Sequence, residues 1–144
     1  MTVKVNPVAN FDQLPLADAT AILYGTVIPA CEAKGVNLSF YGNHQGRSDL
    51  DSIERYDERK SSAKLFDVPR VQRAFAGLHA VIVDTSTYKS GSYSLKHKVE
   101  KFQGVFLSNG DLIAAMLMKG YQARFGKRGE DTELNCEFKV KCRA

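Results

Sequence analysis

The residues best suited to chemistry lie in the second half of this 144-residue chain, where a loop rich in serine and threonine leads into a basic segment. Loop 84–92 contains Lys89, Ser90 and Ser92. Backbone N–H groups at a helix start, small hydroxyl groups and a lysine are the parts that an anion site needs. Because the loop lacks GxxxxGK[ST] and GxGxxG, it does not indicate a nucleotide-binding loop. The simpler alternative is a capped loop that binds no ligand. The second alternative is a loop that binds a phosphate of a nucleic-acid backbone.

The segment after this loop predicts a basic helix that is capped by Ser92 or Ser94 and ends at Gly104. Its apolar residues are Leu95, Val99 and Phe102, and its cations occupy the other faces. Such a surface attracts phosphates without reading sequence, and a charged turn at 126–129 adds two further cations. The candidate nucleic-acid or anion-binding residues are therefore Lys89, Ser90, Ser92, Lys96, His97, Lys98, Lys101, Lys127 and Arg128.

His97 and Glu100 are within one helical turn of each other, so they could act as a proton-transfer pair in a small nuclease. No serine or cysteine nucleophile has a recognisable spacing to His97, and a surface histidine is the simpler explanation. The acidic residues of segment 48–64 lack the glycine and terminal glutamate of a calcium loop. We therefore assign no catalytic residue, no metal ligand and no cofactor, and an enzyme is the less favoured class.

Tyrosines could also contribute to a nucleic-acid surface, because aromatic rings stack on unpaired bases. Tyr88 and Tyr93 flank the start of the basic helix. Tyrosines in a chain of this size are more often half-buried members of the core.

Charge and cysteine content further restrict the class of protein and its cellular compartment. The net charge is +4, and it arises from a near-neutral first part, with 7 Lys and Arg against 8 Asp and Glu in residues 1–66, and a basic second part, with 13 against 8. The three cysteines form no CxxC pair, which argues against a disulfide framework and favours a reducing compartment. No stretch predicts a signal peptide or a membrane span, so we expect a protein that is neither secreted nor membrane-bound.

The helices and strands predicted to position these residues indicate an α+β fold in two parts. Residues 1–66 contain a helix at 16–33 with Pro29 as a kink or early end, a short strand at 36–41, a loop at 42–46 and a charged linker at 48–64. Residues 67–144 contain three helices. The first, at 69–78, has Asp67 as its cap, the second runs to 103 with Ser92 or Ser94 as its cap, and the third runs from about 109 to 119 with Ser108 or Asn109 as its cap. This part also contains a strand at 80–83 and a hairpin of strands 121–125 and 134–141.

Three helices followed by a hairpin form a winged-helix-like outline, and the first part adds an N-terminal helical extension. The third helix, however, offers mainly Leu, Ile, Ala and Met and is typical of a core helix. A recognition helix must instead present polar side chains to base edges. If nucleic acid is bound, we therefore expect backbone contacts with little base readout.

Three blocks in the second part, SYSLKHKVE at 92–100, SNGDLIAA at 108–115 with GY at 120–121, and NCEFKV at 135–140, occur in a fixed order. They resemble short uncharacterised proteins of phages, other viruses and bacterial mobile elements that share an "SYxLKHxxE … SNGxxIAAxxxxGY … NxxFxV" pattern. The resemblance covers roughly residues 85–141 and implies a viral or mobile-element origin, in the host cytoplasm or the virion. It brings no known activity.

The leading hypothesis is a small non-enzymatic viral or mobile-element protein that contacts the nucleic-acid backbone through the basic helix and the hairpin tip. The first alternative is a virion-structural or host-protein-binding protein, including an anti-defence protein, that docks or self-assembles through its N-terminal helix and charged segment. The second alternative is the small nuclease described above.

Overall fold

The computed structural model describes residues 1–39, 42–43, 66–126 and 135–143. The N-terminal part contains strand β1 (Thr2–Val3), a 3-10 turn (Phe11–Gln13), and a helix that runs from Leu16 to Glu32 in three segments. These are α1 (Leu16–Ile22), a π-helical turn (Leu23–Val27) and α2 (Ile28–Glu32). The predicted helix is therefore confirmed, but it does not end at Pro29, because Pro29 lies in the first turn of α2, where its missing N–H costs little.

Two short strands, β2 (Leu38–Ser39) and β3 (Gly42–Asn43), pair antiparallel after this helix. Residues 42–43 thus extend as a strand where a loop was predicted. The charged segment 48–64 lies outside the described residues, as do His44, Lys127 and Arg128.

The second part contains three helices: α3 (Val68–Val81), α4 (Ser92–Gln103) and α5 (Asn109–Met118). The predicted cap of α3 is confirmed, since the Asp67 carboxylate accepts a hydrogen bond from the Arg70 N–H at 3.2 Å. The C-terminal end of α4 is also confirmed, because Gly104 takes a left-handed conformation with φ of 67°. The predicted serine cap of α4 is wrong: Gly91 is the N-cap residue and provides no side-chain hydrogen bond.

All ten residues of α5 are buried, as expected from a helix that is apolar on most sides. Ser108 caps it in a reciprocal capping box, in which the Ser108 hydroxyl accepts from the Asp111 N–H and the Asp111 carboxylate accepts from the Ser108 N–H. The helix in the position of a recognition helix is therefore the centre of the core. The fold is α+β, while the winged-helix outline remains a prediction.

Strands β4 (Ile82–Asp84), β5 (Ser90–Gly91), β6 (Ala123–Phe125), β7 (Cys136–Phe138) and β8 (Val140–Cys142) complete the fold. One sheet has the order β1-β6-β7-β5, and β4 pairs separately with β8, all antiparallel. The predicted hairpin is present as β6 and β7. Its second strand is divided, because the chain leaves β7 after Phe138 and pairs with β4 from Val140 onward.

One hydrophobic core takes residues from both sides of the predicted boundary at 66/67. Phe11 packs on Phe75 of α3 with ring centroids 5.6 Å apart, and the Gln72 side chain donates hydrogen bonds to the carbonyls of Phe11 and Leu14. The Val8 N–H donates to the carbonyl of Met118 at the end of α5. Within the described residues, the N-terminal segment thus forms part of the same packed body as the three helices.

Candidate nucleic-acid interface

Helix α4 separates its apolar side from its basic side as the sequence predicts. Leu95 and Val99 are fully buried, while Lys98 and Lys101 are exposed and the His97 side chain retains 54% of its accessible surface. Lys98 and Lys101 are three residues apart, so they lie on neighbouring turns of one helix face. This face offers two cations to solvent.

Lys96 has a different environment from the other lysines of α4. Its ammonium lies 3.4 Å from a Glu100 carboxylate oxygen, and its side chain is only 12% exposed. The same carboxylate lies 3.2 Å from His97 Nδ1 and accepts a hydrogen bond from the Leu107 N–H at 3.0 Å. Glu100 therefore joins α4 to the turn that follows it, and this role accounts for the His97–Glu100 proximity without catalysis.

Three exposed aromatic residues accompany these cations: Tyr93, Phe102 and Phe106 are 54%, 58% and 56% exposed. Phe102 follows Lys98 by four residues, so the ring and this lysine lie on the same side of α4. Exposed rings beside exposed cations are the combination that sequence-tolerant single-strand binding requires.

Two of these rings belong to an aromatic–cation row formed by Arg70, Tyr93, Lys96, His97 and Phe106. The Lys96 ammonium lies 5.1 Å from the Tyr93 ring centroid and 5.6 Å from that of Phe106. The Arg70 guanidinium lies 5.4 Å from the Phe106 centroid, and the rings of Tyr93 and His97 meet edge to face at 4.6 Å. These contacts hold the exposed rings in defined positions.

The row is attached to the core through Arg70. Its Nε donates to the fully buried Asp111 carboxylate at 2.5 Å, and the same carboxylate oxygen accepts from the Ser108 N–H at 2.9 Å. Burial raises the pKa of Asp111 above its usual range, although the hydrogen bonds from Ser108 and the charge of Arg70 oppose this change. The second Asp111 oxygen has no hydrogen-bond partner among the described residues.

The predicted anion loop is only partly available to a ligand. Ser92 is fully buried, and its hydroxyl accepts a hydrogen bond from the Cys136 N–H at 3.1 Å. Ser90 is half-buried in β5, while Lys89 is exposed and its N–H donates to the carbonyl of Phe138. Of these three loop residues, only Lys89 is exposed.

A second basic surface, on the outer face of the sheet, was missed by the sequence analysis. Tyr88 lies against the Arg124 guanidinium at 4.0 Å and the Lys139 ammonium at 5.2 Å, measured to its ring centroid, and its hydroxyl accepts from Gln122 at 2.9 Å. Arg124 also pairs with Glu137 at 2.9 Å. Strand alternation could have identified these residues, because Arg124 and Lys139 each lie between two buried neighbours.

No protein-family model matches the chain, and no curated protein or solved structure matches it significantly. In the described ranges, no three His, Cys, Asp or Glu residues are arranged to hold a metal ion. The same part of the chain contains no helix with the length and apolar content to cross a membrane.

Proposed function

We propose that this protein binds single-stranded nucleic acid without catalysis, through phosphate contacts from α4 and base stacking on its exposed rings. The observation that carries the proposal is the coincidence of three exposed aromatic side chains with exposed lysines on one helix and its following turn. A base that stacks on an exposed ring removes apolar ring surface from water, and the resulting stabilisation is independent of base identity. The buried α5 cannot read base edges, which agrees with backbone-directed binding.

The surface has a defined composition. Lys98 and Lys101 supply the phosphate contacts, Phe102 supplies a stacking platform beside them, and the aromatic–cation row supplies a second platform. Lys89 extends the basic surface toward the sheet, and Lys127 and Arg128 of the hairpin tip remain candidates from the sequence. We place the protein in the host cytoplasm or the virion, as the viral or mobile-element resemblance implies.

The proposal is tested by fluorescence anisotropy with labelled single-stranded DNA, single-stranded RNA and duplex DNA at 50 and 200 mM salt. Single strands should bind more tightly than the duplex, and raised salt should weaken all of them. A Lys98→Ala/Lys101→Ala variant should reduce the slope of log affinity against log salt by about 1.4, which corresponds to two single-strand phosphate contacts. Lys4→Ala/Lys34→Ala is the charge-matched control, because both lysines are exposed outside α4.

The stacking contribution is tested separately with Phe102→Ala. Loss of one stacked base should weaken single-strand binding by about 1–3 kcal/mol and leave the salt slope unchanged. Absence of binding to every nucleic acid at 50 mM salt would remove the proposal.

A protein-docking function is the second candidate, and the same exposed rings favour it. It predicts self-association, or assembly into particles, that depends on Phe102 and Phe106 and is insensitive to Lys98. Light scattering of the wild type and of Phe102→Ser distinguishes the two functions, because a nucleic-acid-binding monomer keeps its mass in both forms.

A further inference from the structure

The outer face of the four-stranded sheet carries a group of polar and charged side chains that the proposed function does not use. We call it the sheet cluster, and its members are Tyr88, Gln122, Arg124, Glu137 and Lys139. Arg124 of β6 lies opposite Glu137 of β7. The neighbours of both residues along their strands are buried, so strand alternation places the cluster on the face that points away from the core.

Tyr88 brings two cations of the cluster together. Its ring centroid lies 4.0 Å from the Arg124 guanidinium and 5.2 Å from the Lys139 ammonium, so the two charges can be no further apart than these distances combined. The Tyr88 hydroxyl accepts a hydrogen bond from the Gln122 amide at 2.9 Å, which holds the ring beside β6. Two cations around one ring repel each other, and an anion that binds beside the ring relieves this repulsion.

Both cations are available to a ligand. The Arg124 side chain is 46% exposed, and its hydrogen bond to Glu137 uses one of the five N–H donors of the guanidinium. Lys139 and the neighbouring Lys89 are exposed, and neither forms an ion pair with any residue that the structure describes. The cluster together with Lys89 therefore carries three cations against one carboxylate.

Lys89 lies between the sheet cluster and helix α4. It directly precedes β5, and Gly91, the last residue of β5, is the N-cap of α4. On the sheet side, the Lys89 N–H donates to the carbonyl of Phe138, the residue before Lys139. A strand that passes from the first turn of α4, where Tyr93 is exposed, across Lys89 therefore reaches the sheet cluster next.

We propose that the sheet cluster is a second phosphate-contact surface for the same single strand that α4 binds. The strand continues from α4 past Lys89 onto the sheet, where Arg124 and Lys139 contact its phosphates. Because two cations already cover the Tyr88 ring, this part of the site contributes phosphate contacts and no base stacking. The inference rests on the proposed function, since it gives the further course of the same ligand. It predicts a site longer than α4 alone provides.

Oligonucleotide length separates the contributions of the two surfaces. The probes are labelled oligothymidylates of about 5 and about 15 nucleotides, near the two ends of the range of single-strand site sizes. Fluorescence anisotropy at 50 and 200 mM salt gives the slope of log affinity against log salt for each length. For the longer probe, Arg124→Gln/Lys139→Gln should reduce this slope by about 1.4, which corresponds to two single-strand phosphate contacts. For the shorter probe the slope should stay at its wild-type value, because this probe stays on α4, where rings and lysines both contribute.

Lys34→Gln/Arg73→Gln is the matched control. It also removes one lysine and one arginine, and both residues are exposed outside the sheet and outside α4. It should leave the slope unchanged for both probes. Arg124→Lys/Lys139→Arg keeps both charges, so it should keep the wild-type slope even if the packing around Tyr88 changes. Thermal melts of each variant exclude loss of the fold as the cause of weaker binding.

Comparison with Lys98→Ala/Lys101→Ala distinguishes failure of this inference from failure of the proposed function. If the α4 variant weakens both probes and Arg124→Gln/Lys139→Gln weakens neither, the proposed function stands and the sheet cluster is not part of the site. Equal effects of the sheet variant on the two probes would also overturn the inference. If the α4 variant binds both probes like the wild type, the proposed function itself fails.

An acidic protein is the other partner that a basic surface of this kind could take, and competition tests it. Unlabelled oligothymidylate should displace the longer probe at lower concentrations of charge than polyglutamate does. Equal displacement by the two polyanions would assign the sheet cluster to an acidic protein partner and overturn the inference.

Discussion

Replacement of Arg70 by alanine should destabilise the protein far more than an ordinary change at a helix surface. The substitution leaves the Asp111 carboxylate buried without its cationic partner, since Asp111 is fully buried and Arg70 is its only ion-pair partner among the described residues. Removal of one member of a buried pair typically costs about 3–5 kcal/mol. Because 21% of the Arg70 side chain remains exposed, we expect the lower end, about 3 kcal/mol.

The assay is urea unfolding at pH 7 followed by far-ultraviolet circular dichroism, for Arg70→Ala, Asp111→Asn and the double variant. Asp111→Asn should cost about 1–2 kcal/mol, because it removes the charge but keeps an oxygen that can accept from the Ser108 N–H. The double variant should cost less than the sum of the single variants, since it has no stranded carboxylate. Phe106→Ala controls for the lost contact between Arg70 and the ring.

The same substitution predicts a pH dependence of definite sign. Without Arg70, desolvation raises the pKa of Asp111 in the folded state above its unfolded value. The folded state then binds a proton that the unfolded state has released, so the unfolding free energy falls as pH rises from about 4 through the folded-state pKa. The deficit of Arg70→Ala should therefore shrink between pH 7 and pH 4. A deficit below about 1 kcal/mol at pH 7, or additive single variants, would refute the role assigned to the pair.

Two further predictions concern backbone strain and thiol exposure. Gly120→Ala should destabilise the protein more than Gly104→Ala in the same urea assay. Both glycines have positive φ, of 95° and 67°, but only at Gly120 would an added Cβ meet Pro7 Cγ, at 2.7 Å. Equal losses of unfolding free energy in the two variants would contradict this reasoning. Cys142 should react with a thiol reagent long before Cys31 in native buffer. Cys142 is half-buried, whereas Cys31 is buried and burial raises the pKa of its thiol to about 12. Mass spectrometry of samples taken over time measures both reactions, and modification of the two cysteines at the same rate would contradict the packing.

The elements that the sequence predicts well are those with local signals. Asp67 and Ser108 cap α3 and α5 with their own side chains, and Gly104 ends α4 within its last turn. The predicted serine cap of α4 fails for a nonlocal reason, since the Ser92 hydroxyl accepts from an N–H 44 residues away. Strand β1 has only two residues and pairs with β6, so no periodic pattern could predict it.

The candidate interface shows the same division between local and nonlocal information. Helical spacing correctly places Lys98 and Lys101 in solvent, because their exposure depends only on their angle from Leu95. Helical spacing predicts the same exposure for Lys96, but Lys96 is covered by Glu100 of its own helix and by Phe106 from the turn that follows. Its neighbours become apparent only once the turn folds back on the helix.

The position of the Phe106 ring depends on the core as well as on α4. Phe106 contacts Arg70, Arg70 pairs with Asp111, and Asp111 closes the capping box at the start of the buried α5. A perturbation of this pair should therefore shift the Phe106 platform as well as the stability of the fold. Arg70→Ala should weaken single-strand binding even where the protein remains folded, whereas Arg73→Ala, an exposed cation of the same helix, should not. If both variants bind alike, the aromatic–cation row is a packing feature, and the interface reduces to Lys98, Lys101 and Phe102.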